Sequence, residues 1–142
     1  MRSKETKLDR VIVARIHPNE DLIDEITKIA RLHEIKGGLI NVIGAFKKVT
    51  LGYFDLRSKD YEFKTLEEDV ELWSAMGNLS RKDGEPIIHL HVMVGKKDYS
   101  ILGGHLGQPS IISVTGEVYI YEVNQEIQRA QDPQFGLSLL DL

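Results

Sequence analysis

The sequence predicts an α+β domain, built from a bent, mainly antiparallel sheet of about seven strands with one main helix. One segment near the N-terminus places apolar residues at helical spacing. Most of the remaining chain alternates between apolar and polar residues, which is the period of a half-buried strand. With 142 residues, the chain is predicted to form a single domain over residues 1–142, in which residues 1–8 are a flexible polar tail.

The helix is predicted to follow a first strand at residues 10–16 and a break at His17. Asn19 is the expected N-cap, and Gly37 or Gly38 is expected to end the helix in a left-handed conformation. The predicted apolar face consists of Leu22, Ile23, Ile26, Ile29 and Ala30.

The later strands are predicted at residues 39–46, 49–55, 61–66, 70–79, 87–94, 99–102 and 111–122. Lys47 and Lys48 are expected to form a turn between the first two of them. Residues 125–131 are predicted to be a turn or a short helix. The apolar segment 135–142 is expected to pack on the sheet or on another subunit.

Composition and charge restrict the classes of function. The net charge is −4, whereas a duplex-binding domain usually carries a basic footprint. There are no cysteines, so a metal would have to be held by His, Asp, Glu or backbone groups. The N-terminus lacks the apolar run of a signal peptide and no segment has the length of a membrane span, so a cytoplasmic location is expected.

Three histidines form the most specific motif of the chain. In the strand predicted for residues 87–94, His89 and His91 share one face. A turn at residues 95–98 and a second short strand at residues 99–102 would form a hairpin with this strand, and the glycine pair 103–104 permits a tight bend, so that His105 would come back beside His89 and His91. Three neutral imidazoles suit zinc or a similar transition metal, and they leave a coordination position for water or a substrate. The metal identity stays open, and so does the alternative of three hydrogen-bonded strand histidines near a turn.

Three other residues are candidates for the surroundings of this site. Glu71 lies on a strand predicted beside the two strand histidines, where its carboxylate would act as a general base or orient an imidazole; an exposed strand glutamate is the alternative. Asn41 either satisfies its amide by structural hydrogen bonds or lines a pocket. Gly104 is a candidate for lining the same pocket.

Together these stretches resemble the plants-and-prokaryotes-conserved (PPC) domain family. The resemblance rests on residues 38–46, on residues 70–78, on His-x-His at residues 89–91 and on Gly-Gly-His-Leu at residues 103–106. It implies a compact α+β fold, similar to that of acetolactate decarboxylase, and usually a homotrimer. In bacterial and archaeal members it also implies a metal, commonly zinc, on three histidines, which correspond here to His89, His91 and His105.

For the plant proteins of this family, the resemblance implies a different function. In plants the domain follows an AT-hook, an Arg-Gly-Arg-Pro element that enters the minor groove, and it serves transcription regulators through assembly. This chain contains no such element, and plant versions lack the histidine that corresponds to His105.

Three functions therefore remain open. The first is a metal-dependent site that binds or transforms a small oxygen-rich molecule. The second is a DNA-associated or regulatory assembly module. The third is a structural homo-oligomer with a vestigial site.

Overall fold

A computed structural model describes residues 1–142. It contains one helix and eight strands, so the predicted α+β class is confirmed and the strand number is close to the expected seven. The elements in chain order are β1 Leu8–Ile16, α1 Leu22–Leu32, β2 Gly38–Asp55, β3 Asp60–Leu66, β4 Val70–Lys82, β5 Glu85–Gly95, β6 Ile101–Val123, β7 Gln128–Gln131 and β8 Ser138–Asp141.

All strands belong to one strongly bent sheet. Its order is β3-β2-β6-β5-β4-β7-β8, with β1 also paired to β6. Strand β2 pairs with β4 as well, so the pairings β2–β4, β4–β5, β5–β6 and β6–β2 close a ring of four strands. Every pair is antiparallel except β4 with β7. Residues 96–100 join β5 to β6 in a hairpin, which places the C-terminal half of β5 beside the first residues of β6.

Two predicted chain reversals are wrong, because β2 and β6 are long continuous strands. Lys47 and Lys48 lie inside β2, and the glycine pair 103–104 lies inside β6. The register between β2 and β6 shifts three times between Gly44 and Thr50. Such bulges bend a strand without ending it. The chain therefore curves around the core where the sequence pattern suggested a turn.

The helix has the predicted apolar face but different ends. Its N-cap is Asp21, whose Oδ1 accepts hydrogen bonds from the backbone N–H groups of Ile23 and Asp24 at 3.0 and 3.2 Å. Asn19 has a φ of 74° and lies outside the helix. The helix ends at Leu32 and does not reach the glycine pair 37–38. The second glycine of that pair, Gly38, is the first residue of β2.

The C-terminal region also differs from the prediction. Residues 128–131 form strand β7 instead of a turn or short helix, and β7 pairs with β8 in a hairpin. The hairpin is attached to the main sheet through the pairing of Gln128 with Arg81 on β4. The apolar C-terminal segment therefore packs at the edge of this sheet. At the other end of the chain, β1 begins at Leu8, within the predicted tail.

The helix covers one face of the sheet, and 22 buried apolar residues form the core between them. The opposite face carries apolar side chains that stay exposed. They include Val11, Val13, Leu39, Ile43, Met76 and Tyr119. The single helix has neither the length nor the apolar character needed to cross a lipid bilayer.

Candidate metal centre

The three histidines meet where β5 and β6 pair. His91 lies directly opposite His105 in the register, and His89 follows on the same face of β5. The ring centroid of His89 lies 5.1 Å from the centroid of His91 and 5.1 Å from that of His105. The centroids of His91 and His105 are 5.7 Å apart. One nitrogen of each ring lies within 4.8 Å of one nitrogen of the other two. The predicted cluster of imidazoles is thus present.

His105 reaches the cluster through the predicted hairpin, in which residues 96–100 connect β5 to β6, but without the predicted bend at the glycine pair. The glycine pair 103–104 makes no bend, since it pairs within the ladder with Met93 and Val92. A Cβ atom on Gly104 would lie 2.9 Å from the backbone oxygen of Gly52 on β2. Gly104 therefore allows β2 and β6 to approach closely beside His105.

His105 holds a buried nitrogen and packs against an aromatic ring. Its Nδ1 is buried and has no hydrogen-bond partner in the protein. The ring of Tyr61 on β3 packs against it with a centroid distance of 4.8 Å. A buried polar atom without a partner is uncommon, because it loses its contacts with water and gains nothing in return. The nitrogen donors of the cluster therefore fit a transition-metal ion, for which neutral imidazole is a preferred ligand.

Burial favours the neutral, metal-binding form of two of these imidazoles, His89 and His105. The pKa of His89 is lowered to about 4, first by burial, then by the positive charge of Arg129 and by the neighbouring rings of His105 and His91. The pKa of His105 is also lowered, first by burial and then by His91 and Arg129. A proton competes with a metal for the same lone pair. The lowered pKa values remove that competition at neutral pH.

Arg129 is a residue of this site that sequence reasoning missed. It lies on β7, and its Nε donates to Ser80 Oγ at 2.7 Å while its Nη1 donates to the Ser138 backbone oxygen at 2.5 Å. Its Nη2 donates to Asn78 Oδ1 at 2.9 Å and lies 3.2 Å from His89 Nδ1. Because residues 125–131 carry no strand pattern, no sequence signal placed this guanidinium beside the histidines.

The contact between Arg129 and His89 has a chemical consequence. A guanidinium offers only donors, so His89 Nδ1 must accept, and the hydrogen of the neutral ring is then on Nε2. A metal on Nδ1 would take the lone pair that Arg129 uses. A metal on Nε2 would put the ring hydrogen on Nδ1, where it would face the Arg129 donor. Metal binding by His89 therefore excludes this hydrogen bond.

The structure does not bring Glu71 or Asn41 to the histidines. Glu71 pairs with Gly95 near the opposite end of β4, about 15 Å along the strand from Met76, the partner of His91. It lines a surface cavity of about 590 Å³ together with Trp73. Asn41 lies on β2 opposite Met76, two strands and about 10 Å away from His91.

Comparison with known proteins identifies the relatives of this chain. Among solved structures, a metal-containing protein from Archaeoglobus fulgidus is 32% identical with a TM-score of 0.92, and the match covers 100% of both chains. A plant- and prokaryote-conserved protein from Pyrococcus horikoshii is 31% identical with a TM-score of 0.90, covering 100% of this chain and 98% of that one. A candidate DNA-binding protein from Bacteroides thetaiotaomicron is 29% identical with a TM-score of 0.88, covering 96% of both.

Two further matches are an enzyme that shares the fold and a much longer relative. Acetolactate decarboxylase from Bacillus subtilis is 16% identical with a TM-score of 0.58, over 82% of this chain and 53% of that one, which shows a shared fold alone. The bifunctional protein GlmU of a Synechococcus strain is 30% identical over 129 residues, or 89% of this chain. The chain spans only 20% of that curated relative. Residues 3–124 match the Plants and Prokaryotes Conserved (PCC) domain, and the chain therefore belongs to this family.

Proposed function

We propose that this chain is a cytoplasmic protein that binds a transition metal, with zinc as the first choice, through His89, His91 and His105. A coordination position would stay open for a small oxygen-rich ligand. The proposal depends on one observation, the convergence of three imidazoles around a buried nitrogen without a partner. The metal-containing relative from Archaeoglobus fulgidus, which matches over the full length, supports it.

The surroundings of the histidines favour an exchangeable ligand over a closed structural site. His91 is exposed, and His89 and His105 are half-buried. Neither Glu71 nor any cysteine is available as a fourth protein ligand. A metal with three protein ligands acts as a Lewis acid toward a carbonyl and lowers the pKa of bound water to about 7 in the case of zinc. Decarboxylation, hydrolysis and ligand sensing would all use this open position.

Metal content tests the proposal directly. Protein purified without an affinity tag should contain about one transition-metal ion per chain, and the triple variant His89→Ala, His91→Ala, His105→Ala should contain almost none. The matched control changes the two remaining histidines, His17 and His33, to alanine and should keep its metal. Equal metal content in the wild-type protein and the triple variant would end the metal hypothesis.

We also propose that copies of this chain assemble, as a homotrimer, through the uncovered face of the sheet. Val13, Tyr119, Asn41 and Met76 form a row across the four neighbouring strands β1, β6, β2 and β4. The row contains exposed apolar side chains and the buried, unpartnered Oδ1 of Asn41. Contiguous exposed apolar surface of this kind is typical of protein interfaces.

Light scattering measures the assembly. The wild-type protein should have about three times the mass of one chain, and Met76→Lys should shift the mass toward the monomer. Leu56→Lys, a change in the exposed turn between β2 and β3, is the control and should stay assembled. A monomeric wild-type protein would contradict the proposal.

DNA association is the alternative function, supported by the name of the Bacteroides thetaiotaomicron relative. The net charge of −4 argues against it. A titration with duplex DNA at increasing salt separates the two functions, because phosphate contacts make the affinity fall steeply with salt. We expect almost no binding at any salt concentration. Tight binding with a steep salt dependence would favour the DNA function instead.

A further inference from the structure

Arg129 is a half-buried cation with no counter-ion. Its hydrogen-bond partners are a serine hydroxyl, an asparagine amide oxygen, a backbone carbonyl and an imidazole, all of which are neutral. No carboxylate lies within 4.0 Å of its guanidinium, since Arg129 takes part in none of the ion pairs of the chain. Buried charges are usually paired. The structure thus holds an unpaired positive charge beside the three histidines.

A metal would add to this unbalanced charge. Three neutral imidazoles leave the full charge of a divalent ion in place, and the Arg129 guanidinium contributes a further positive charge next to His89. Glu71, the acidic residue predicted for this region, pairs with Gly95 at the far end of β4. No Asp or Glu belongs to the histidine cluster, so no anion of the same chain balances the loaded centre, and an anionic ligand would be attracted both by the metal and by Arg129.

Metal binding also releases one donor of the guanidinium. The hydrogen bond between Arg129 Nη2 and His89 Nδ1 is incompatible with a metal on His89, as argued above. The contacts to Ser80, Ser138 and Asn78 do not involve His89 and hold the guanidinium in place. One Nη2 hydrogen then becomes free next to the metal, on a side chain that is already positioned.

We propose that the metal-loaded centre binds a small carboxylate, with one oxygen at the open metal position and the other accepting a hydrogen bond from Arg129. This inference rests on the proposed metal function. One metal position and one released donor match the two oxygens of a single carboxylate group. Charge-assisted hydrogen bonds of this kind are about twice as strong as neutral ones. Arg129 is therefore a ligand-binding residue, and the ligand class is a small carboxylic acid.

The experiment uses full-length protein loaded with Co²⁺, whose absorption spectrum reports on its ligands. Acetate is titrated, with acetamide as the neutral isostere and inorganic phosphate as the competing anion. Acetate should change the spectrum of the wild-type protein, and acetamide should not. In Arg129→Gln the affinity for acetate should fall at least tenfold. Arg57→Gln removes a charge from the exposed turn between β2 and β3 and should bind acetate as the wild type does.

Metal affinity in buffer without coordinating anions gives a second readout. Arg129→Gln removes a positive charge beside the metal, so it should bind Co²⁺ about tenfold more tightly than the wild type. If the role of Arg129 were purely structural, Arg129→Gln would weaken both metal and acetate binding. Our proposal instead predicts that this variant binds Co²⁺ more tightly and acetate more weakly. If Arg129→Gln does not fold, Arg129→Lys replaces it, and loss of the planar fork should still weaken acetate binding.

Several outcomes would overturn the inference. Equal acetate affinity in the wild type and the Arg129 variants would show that Arg129 does not bind the ligand. Tighter binding of phosphate than of acetate would show that the ligand class is not a carboxylate. Failure of the wild-type protein to take up any metal is a different result, because it would contradict the proposed function itself.

Discussion

Replacing Gly77 with alanine is expected to destabilise the fold by about 3 kcal/mol or more and to disrupt the histidine centre. A Cβ atom at this position would lie 1.8 Å from the backbone oxygen of His89. Because the obstacle is backbone, no side-chain rotation relieves the overlap, so β4 and β5 must move apart at the pair Gly77–Leu90. Overpacking of this kind costs about 1–3 kcal/mol and occasionally more.

Urea unfolding measures this effect, with Gly116→Ala as the matched control. A Cβ atom at Gly116 would meet the Cδ1 of Ile112 at 3.1 Å and the Cβ of Ile16 at 3.4 Å. The first of these is the end of a flexible side chain, so the control should lose much less stability. A Gly77→Ala protein as stable as the control would show that the close approach of β4 and β5 is not required.

His105→Ala alone is expected to lower the metal affinity more than 100-fold. The two histidines on β5 would remain, but they supply only two of the three ligands. Loss of a hydrogen-bond partner behind a metal ligand already costs about 10–100-fold, so loss of the ligand itself should cost more. His91→Ala should behave in the same way, because all three rings contribute to one site.

Competition with a coloured metal chelator measures these affinities. His33→Ala is the control, because His33 is the C-cap of the helix and lies away from the three-histidine cluster. Its affinity should equal that of the wild type. Unchanged affinity in His105→Ala would mean that the metal is held by the β5 pair and other groups, and the three-ligand site would be wrong.

The sequence period predicted the class of the fold because each element buries only one face. The helical spacing of Leu22, Ile26 and Ala30 corresponds to the buried side of α1, and strand alternation placed Leu90 and Val92 in the core. Local sequence patterns gave wrong predictions where pairing with a strand far away in the sequence determines whether the chain turns or continues. Lys47–Lys48 resembles a turn, but the bulged pairing of β2 with β6 keeps the strand continuous.

The candidate site was predicted in the same uneven way. A period of two is sufficient to place His89 and His91 on one face, so this part follows from the sequence. The predicted hairpin brings His105 beside His91 as a cross-strand pair, whereas the predicted bend at the glycine pair 103–104 is absent. Arg129 reaches the site only because the β7–β8 hairpin docks on β4, and a single tertiary pairing of this kind leaves no local pattern.

X-ray absorption spectroscopy of the metal-loaded protein reports directly on the number and kind of ligands around the metal. We expect about three imidazole nitrogens at roughly 2.0–2.1 Å from zinc, together with at least one exchangeable oxygen ligand. Addition of acetate should change the last contribution and leave the imidazole signal unchanged. A spectrum with fewer than three imidazoles, or with a complete shell of protein ligands that acetate does not alter, would contradict an open three-histidine centre.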